Sequence, residues 1–222
     1  MAPNVAAVDK LTAELRDAAK PKAQEDHDTL VAFSNSLNSL AIEKRLSSNA
    51  SIIGVTGSSG KTSVKEILGK YLKLFGDTYY SPRSFNNHYG VPISLCNLEK
   101  THKFGIFEIG MSHPGEISPL SKMVSPNISI ITNVEPAHTE NFDSLELVAE
   151  AKAEIFDGLE ENGTAILNAD NKFYSVLKAR CKAVGIKNLL TWGMMMPCTF
   201  LAGCITKARG SPTKRKTMSK QH

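Results

Sequence analysis

The sequence has no run of about 18 apolar residues, the length a helix needs to cross a bilayer. Its opening, MAPNVAAVDKLTAELRDAAK, is amphipathic and mixed in charge, so the apolar core of a secretory signal is missing too. Cysteine is scarce: Cys96, Cys181, Cys198 and Cys204 in 222 residues, with no CxxC pair. That excludes a disulfide scaffold and a thiolate zinc site, and leaves buried free thiols in a cytoplasmic protein as the expectation. Acidic residues are absent from Thr191 onward, where Lys207, Arg209, Lys214, Arg215, Lys216 and Lys220 lie. The remaining 190 residues hold 20 basic against 22 acidic side chains, so the formal charge of +4 averages a mildly acidic body and a basic end. No aromatic residues interleave with those basic ones, and a solvated tail is read there, with no nucleic-acid or membrane partner.

What is present is the composition of a globular protein, 41% hydrophobic and 22% charged, long enough for one substantial core. Residues 1–27 are polar and rich in Ala and Lys, and predict a helix followed by a flexible stretch around Pro21. From Asp28, read as an N-cap, Leu30, Phe33, Leu37 and Leu40 recur at helical spacing. Short β-rich runs then alternate with helical patterns. Strands are expected at 51–56, 78–80, 104–109, 128–132, 164–167 and 188–191, and helices starting near Gly60, Pro114, Ser144 and Lys172. Such alternation predicts an α/β fold, a mostly parallel sheet with helices on both faces. Residues 28–192 form that domain and 193–222 the tail. In these sheets ligands bind beyond the carboxyl ends of the strands, so the residues following each strand carry the functional information.

After the first strand comes Gly57-Ser58-Ser59-Gly60-Lys61-Thr62-Ser63, opening a helix. Glycines let backbone wrap a phosphate, the helix start offers unpaired N–H groups, Lys61 adds a charge, and the Thr62 hydroxyl can reach magnesium. The generic motif has four residues between its glycines and this one has two; a plain glycine-rich turn is the alternative. The second strand leads to Asn86 and Asn87 in a polar loop, which alone reads as a turn. The third ends in Glu108, a carboxylate closing an apolar strand, and so either a magnesium ligand or one half of a salt bridge. His138 follows the fourth strand and joins this convergent set, although a lone loop histidine is usually a surface residue. Asn168 ends the fifth, as a turn former or a nucleotide contact. Lys152 lies within the apolar stripe of Val148, Ile155, Phe156 and Leu159. It either snorkels to water or is buried with a lowered pKa, serving as a base or as a carbamate.

The ordered segments TGSSGKTS (56–63), SFNNHYGVP (84–92), EIGMSHPGEI (108–117), TNVEPAH (132–138), AKAEIF (151–156) and LNAD (167–170) resemble the central domain of the Mur ligase family. The GEI run and the Asn-Asn loop are similar to its subfamily that joins D-Ala-D-Ala to UDP-MurNAc-tripeptide. The resemblance implies an ATP-dependent amide ligase of peptidoglycan precursor synthesis, working through an acyl phosphate. It implies that Lys61 holds phosphates, that Thr62, Glu108 and His138 hold Mg2+, and that Lys152 is carbamylated and presents a carboxylate to a metal. Gly57 to Ser63, Asn86, Asn87 and Asn168 are then nucleotide-side residues. Such chemistry rests on positioning and charge neutralisation, which accounts for the lack of a nucleophile in the set.

Only 27 residues precede the central pattern, and the resemblance fades after Trp192-Gly193. The expectation is therefore an incomplete central domain with impaired turnover, and whether a separate chain supplies the missing domains is left open by the sequence. The alternative is a nucleotide-binding module or inactive remnant without ligase turnover.

Overall fold

The computed structural model describes residues 5–136 and 142–193, with side chains from Asp26 onward. His138, Cys198, Cys204 and residues 194–222 of the expected tail lie outside the described residues. The chain separates into two compact units, Met1–Leu40 and Ala41–His222. Helix α1 runs Val5–Ser47 without interruption, which corrects the break expected near Pro21 and the cap at Asp28. A proline removes a single N–H from the ladder, and a helix of 43 residues keeps its bonds on either side.

In the second unit six strands form one parallel sheet: β1 (Ser51–Thr56), β2 (Thr78–Tyr80), β3 (Phe104–Glu108), β4 (Ile128–Ile131), β5 (Thr164–Asn168) and β6 (Asn188–Trp192). Their order is β2-β3-β1-β4-β5-β6, and every pairing is parallel. The connections are helices α2 (Lys61–Leu72), α3 (Gly90–Cys96), α4 (Ile117–Val124), α5 (Leu145–Ala153) and α6 (Tyr174–Ala183), with a 3-10 turn at Glu154–Gly158 after α5. Among the described residues no helix is long and apolar enough to cross a membrane.

Alternate strand residues feed two cores. Ile52, Phe107, Ile131 and Leu167 meet α3, α4, α5 and α6 through Val91, Leu95, Ile117, Leu120, Val148 and Leu177. Ile53, Val55, Ile106 and Ile130 turn the other way, onto Leu68 and Leu72 of α2. Fully burying each such side chain contributes roughly 1.5–3 kcal/mol. The expected helices on both faces are present, but in a four-to-one division among the described residues. The strand order explains it. Right-handed crossovers put a helix on one face when the chain steps toward β2 and on the other when it steps back, and only the β1-to-β2 connection steps that way.

Two local features position the site. Strand β1 lies between β3 and β4, with Val55 opposite Glu108 on one side and Ile130 on the other, so the segments following these three strands converge. The loop expected at 84–92 is in its second part the start of α3, which the sequence reading missed. Asn87 Oδ1 accepts from the N–H groups of Tyr89 (3.2 Å) and Gly90 (2.8 Å), and Pro92 sits in the first turn, where a missing N–H costs nothing.

Candidate phosphate and metal site

Beyond Thr56 the chain turns through Gly57 (φ 148°) and Gly60 (φ 77°), backbone that glycine adopts without a Cβ penalty. The helical ladder starts with the Val64 N–H bonded to Gly60 O at 2.9 Å. The N–H groups of Gly60, Lys61, Thr62 and Ser63 bond no described residue, and Gly60 brings no side-chain cap. Four free donors at the positive end of a helix make an anion nest. The two N–H groups before them are committed: Ser58 donates to Asn133 O (3.0 Å) and Ser59 to Asn133 Oδ1 (2.9 Å). Asn133 Nδ2 returns a bond to Ser59 Oγ at 2.7 Å, and Ser58 Oγ accepts from the Glu135 N–H at 2.9 Å. Thr132 Oγ1 lies 2.6 Å from Ser59 O. The short loop is thus shaped by the segment after β4, which sequence reasoning credited only with His138. Lys61 Nζ folds back onto Gly57 O (2.8 Å) and Ser58 O (3.4 Å). Burial lowers its pKa, against the opposing pull of Glu108.

Glu108 closes β3 at 1% exposure. Its Oε2 accepts from Thr62 Oγ1 at 2.9 Å and its Oε1 from Asn86 Nδ2 at 2.7 Å. Lys65 Nζ stands 3.7 Å from Oε2. Of the two readings of Glu108, the ion pair is therefore present, and the Thr62 hydroxyl beside it completes a pair of hard oxygen donors of the kind magnesium takes. Among the described residues no three His, Cys, Asp or Glu side chains cluster to hold a metal by themselves. A divalent ion here would complete its shell with phosphate and water oxygens. The two asparagines divide: Asn86 reaches Glu108, and Asn87 caps α3. Lys65 was missed by the sequence reading; the available signal was its spacing, three residues after Thr62 and four after Lys61 on one helix face.

Lys152 is 4% exposed, so the snorkelling reading is set aside. Desolvation, and then the nearby charge of Lys61, lower its pKa to about 7. Two residues on, the Glu154 carboxylate accepts from the N–H groups of Gly115 (2.8 Å), Ile117 (3.2 Å) and Ser118 (3.1 Å), fastening the start of α4 beside this site. Asn168 Oδ1 accepts from the Asp170 N–H at 3.0 Å and makes a turn. Lys61, Thr62, Asn86 and Glu108 are thus gathered with Lys152 near Lys61, whereas the side-chain bonds of Asn87 and Asn168 are local to their own turns.

A parallel sheet whose central strand runs through a glycine-rich loop into a helix, with a hydroxyl and a buried carboxylate beside that loop, defines the P-loop class of α/β domains. Within that class the chain belongs to the Mur ligase family, since the model of the Mur ligase middle domain matches residues 55–210. UDP-N-acetylmuramoyl-tripeptide--D-alanyl-D-alanine ligase of Rickettsia prowazekii (strain Madrid E) is 41% identical over 171 residues, 76% of this chain and 38% of that protein. The enzyme of the same name from Escherichia coli (strain K12) is 43% identical over 144 residues, 65% of this chain and 31% of that one. The crystal structure of MurF ligase from Thermotoga maritima in complex with ADP superimposes with a TM-score of 0.66 at 34% identity, covering 73% of this chain and 37% of that one. The chain therefore spans less than two fifths of the length of these relatives.

Proposed function

We propose that this chain carries the ATP-binding core of a cytoplasmic amide ligase that joins D-Ala-D-Ala to UDP-MurNAc-tripeptide. The observation that supports this best is the row of four free N–H groups at Gly60 to Ser63, set beside the Thr62 and Glu108 oxygen pair. The nest takes a nucleotide phosphate, and Lys61 leaves the Gly57 carbonyl to hold the phosphate chain. Thr62 and Glu108, with His138, hold Mg2+, which when bound supplies charge neutralisation on the phosphates. The tripeptide carboxylate accepts the γ-phosphoryl group, giving an acyl phosphate and ADP. The D-Ala-D-Ala amine then attacks the acyl carbon, and inorganic phosphate leaves with the amide formed. Lys152, with its pKa near 7, has a neutral amine available to add carbon dioxide, releasing a proton and leaving a carbamate beside Lys61. That converts a repulsive lysine pair into an attractive one.

Calorimetry of ATP-Mg on the full chain and on Lys61→Ala tests the binding step: saturable binding lost in the variant supports it, and no binding by folded wild type overturns it. A ligation assay with both substrates then separates a competent ligase from a nucleotide-binding module. Intact mass with and without bicarbonate tests the carbamate, whose expected addition is absent in Lys152→Met.

A further inference from the structure

Among the largest fully buried side chains of the described residues is that of a lysine. Lys65 is 0% exposed, one helical turn below Lys61 and Thr62, and the proposed reaction makes no use of it. A buried ammonium is costly unless every proton finds an acceptor. Its partners are specific. Nζ donates to the carbonyl of Arg83, stands 3.7 Å from Glu108 Oε2, and is 3.6 Å from Glu66 Oε1, which is partly exposed. Arg83 has a left-handed φ of 48° and begins the segment that carries Ser84 and Asn86. Ser84 Oγ lies 3.4 Å from Thr62 Oγ1, and the Asn86 amide is on Glu108 Oε1. One ammonium thus joins three pieces: the P-loop helix, the loop after β2, and the carboxylate at the end of β3.

We infer that Lys65 is a positioning residue for the metal half of the nucleotide site: it holds the Glu108 carboxylate against Thr62 and anchors the Arg83 to Asn86 loop that braces its other oxygen. The anion nest does not depend on it, because the Gly60 to Ser63 donors are set by the helix start, and Asn133 holds the Ser58-Ser59 turn that precedes them. Lys65 therefore governs how much Mg2+ strengthens nucleotide binding, and leaves metal-free binding alone. This inference rests on the proposed nucleotide and magnesium site.

The experiment is calorimetry of ADP binding to the full chain with EDTA and with saturating Mg2+, reading the ratio of the two affinities. Lys65→Gln is the principal variant, since its carboxamide can still donate to the Arg83 carbonyl and preserve the fold, whereas Lys65→Met removes both links. In Lys65→Gln the ratio is expected to fall by about tenfold, the scale at which groups supporting metal ligands act, with metal-free affinity within about twofold of wild type. Glu66→Gln is expected to leave the ratio unchanged. In Glu108→Gln the ratio is low, and adding Lys65→Gln lowers it no further, because both act through one carboxylate. An unchanged ratio in folded Lys65→Gln, an equal loss of both affinities, or additive effects in the double variant overturns the inference. A wild type whose ADP affinity ignores Mg2+ overturns the underlying site reading instead.

Discussion

Asn133 and Ser59 are bound to each other twice: the Asn133 carboxamide accepts from the Ser59 N–H at 2.9 Å and donates to the Ser59 hydroxyl at 2.7 Å. The segment after β4 therefore holds the P-loop in shape. Asn133→Ala is expected to lower stability by about 1–2 kcal/mol, through a lost bond and an orphaned N–H, and to weaken nucleotide binding several-fold. Denaturant unfolding and calorimetry measure the two effects. Asn133→Asp can still accept from Ser59 but places a negative charge beside the nest, so it should bind nucleotide less well than Asn133→Ala despite a smaller loss of stability.

The conformation of Gly57 gives a second prediction. A Cβ at this φ of 148° would come 1.8 Å from Thr132 Oγ1, the hydroxyl that meets Ser59 O. Gly115 has φ 84° but open space around it. Gly57→Ala should cost about 2 kcal/mol or more and abolish nucleotide binding. Gly115→Ala should cost about 1 kcal/mol and leave binding intact. Equal melting temperatures for the two variants would contradict this.

Lys152 predicts a pH dependence. Its pKa falls from 10.5 to about 7 on folding, so between those values the unfolded chain binds the proton and the folded chain does not. Stability then rises with pH from about 7 to 10.5, by at most about 1.4 kcal/mol per pH unit from this group; below 7 both states are protonated and the dependence vanishes. Subtracting the profile of Lys152→Met removes the other titrating groups, among them Cys181, whose pKa is raised to about 11 by burial. The difference should slope upward above pH 7 under carbon-dioxide-free buffer.

Asn86 and Asn87 should separate in opposite senses. Asn87→Ala removes the α3 cap and should lower stability by about 1 kcal/mol with little effect on magnesium-dependent binding. Asn86→Ala removes the bond to Glu108 Oε1 and should weaken magnesium-dependent binding more than it lowers the melting temperature.

Arg45 supplies a control remote from the site. At 2% exposure it donates to Val124 O (2.6 Å) at the end of α4 and to Glu160 Oε1 (2.8 Å) just after the 3-10 turn. Arg45→Met should cost about 3 kcal/mol and leave nucleotide affinity unchanged.

The α/β alternation, the placing of Thr62 at a helix start and that of Glu108 at a strand end were legible because each depends on short-range pattern: apolar periodicity, glycine spacing, one carboxylate closing an apolar run. Lys152 was legible because a charge interrupted that periodicity. Lys65 shares the buried face of α2 with Leu68 and Leu72, but nothing local in the sequence shows the Arg83 carbonyl that its ammonium reaches, 18 residues on. The distinction between Asn86 and Asn87 was equally hidden, because side-chain direction follows from where α3 starts. Asn133 carries no visible role until the 74-residue separation from Ser59 is closed by pairing β1 with β4.

That central position of β1 has a dynamic consequence. The loop, Glu108 and Asn133 depend on the β3-β1-β4 ladders, which lie inside the sheet, whereas β6 is an edge strand with partly exposed residues throughout. Amide hydrogens of Ile53 to Val55 should therefore exchange only on global opening, and those of β6 through local fraying. The edge can then come apart many times in the life of a molecule while the geometry around Glu108 persists.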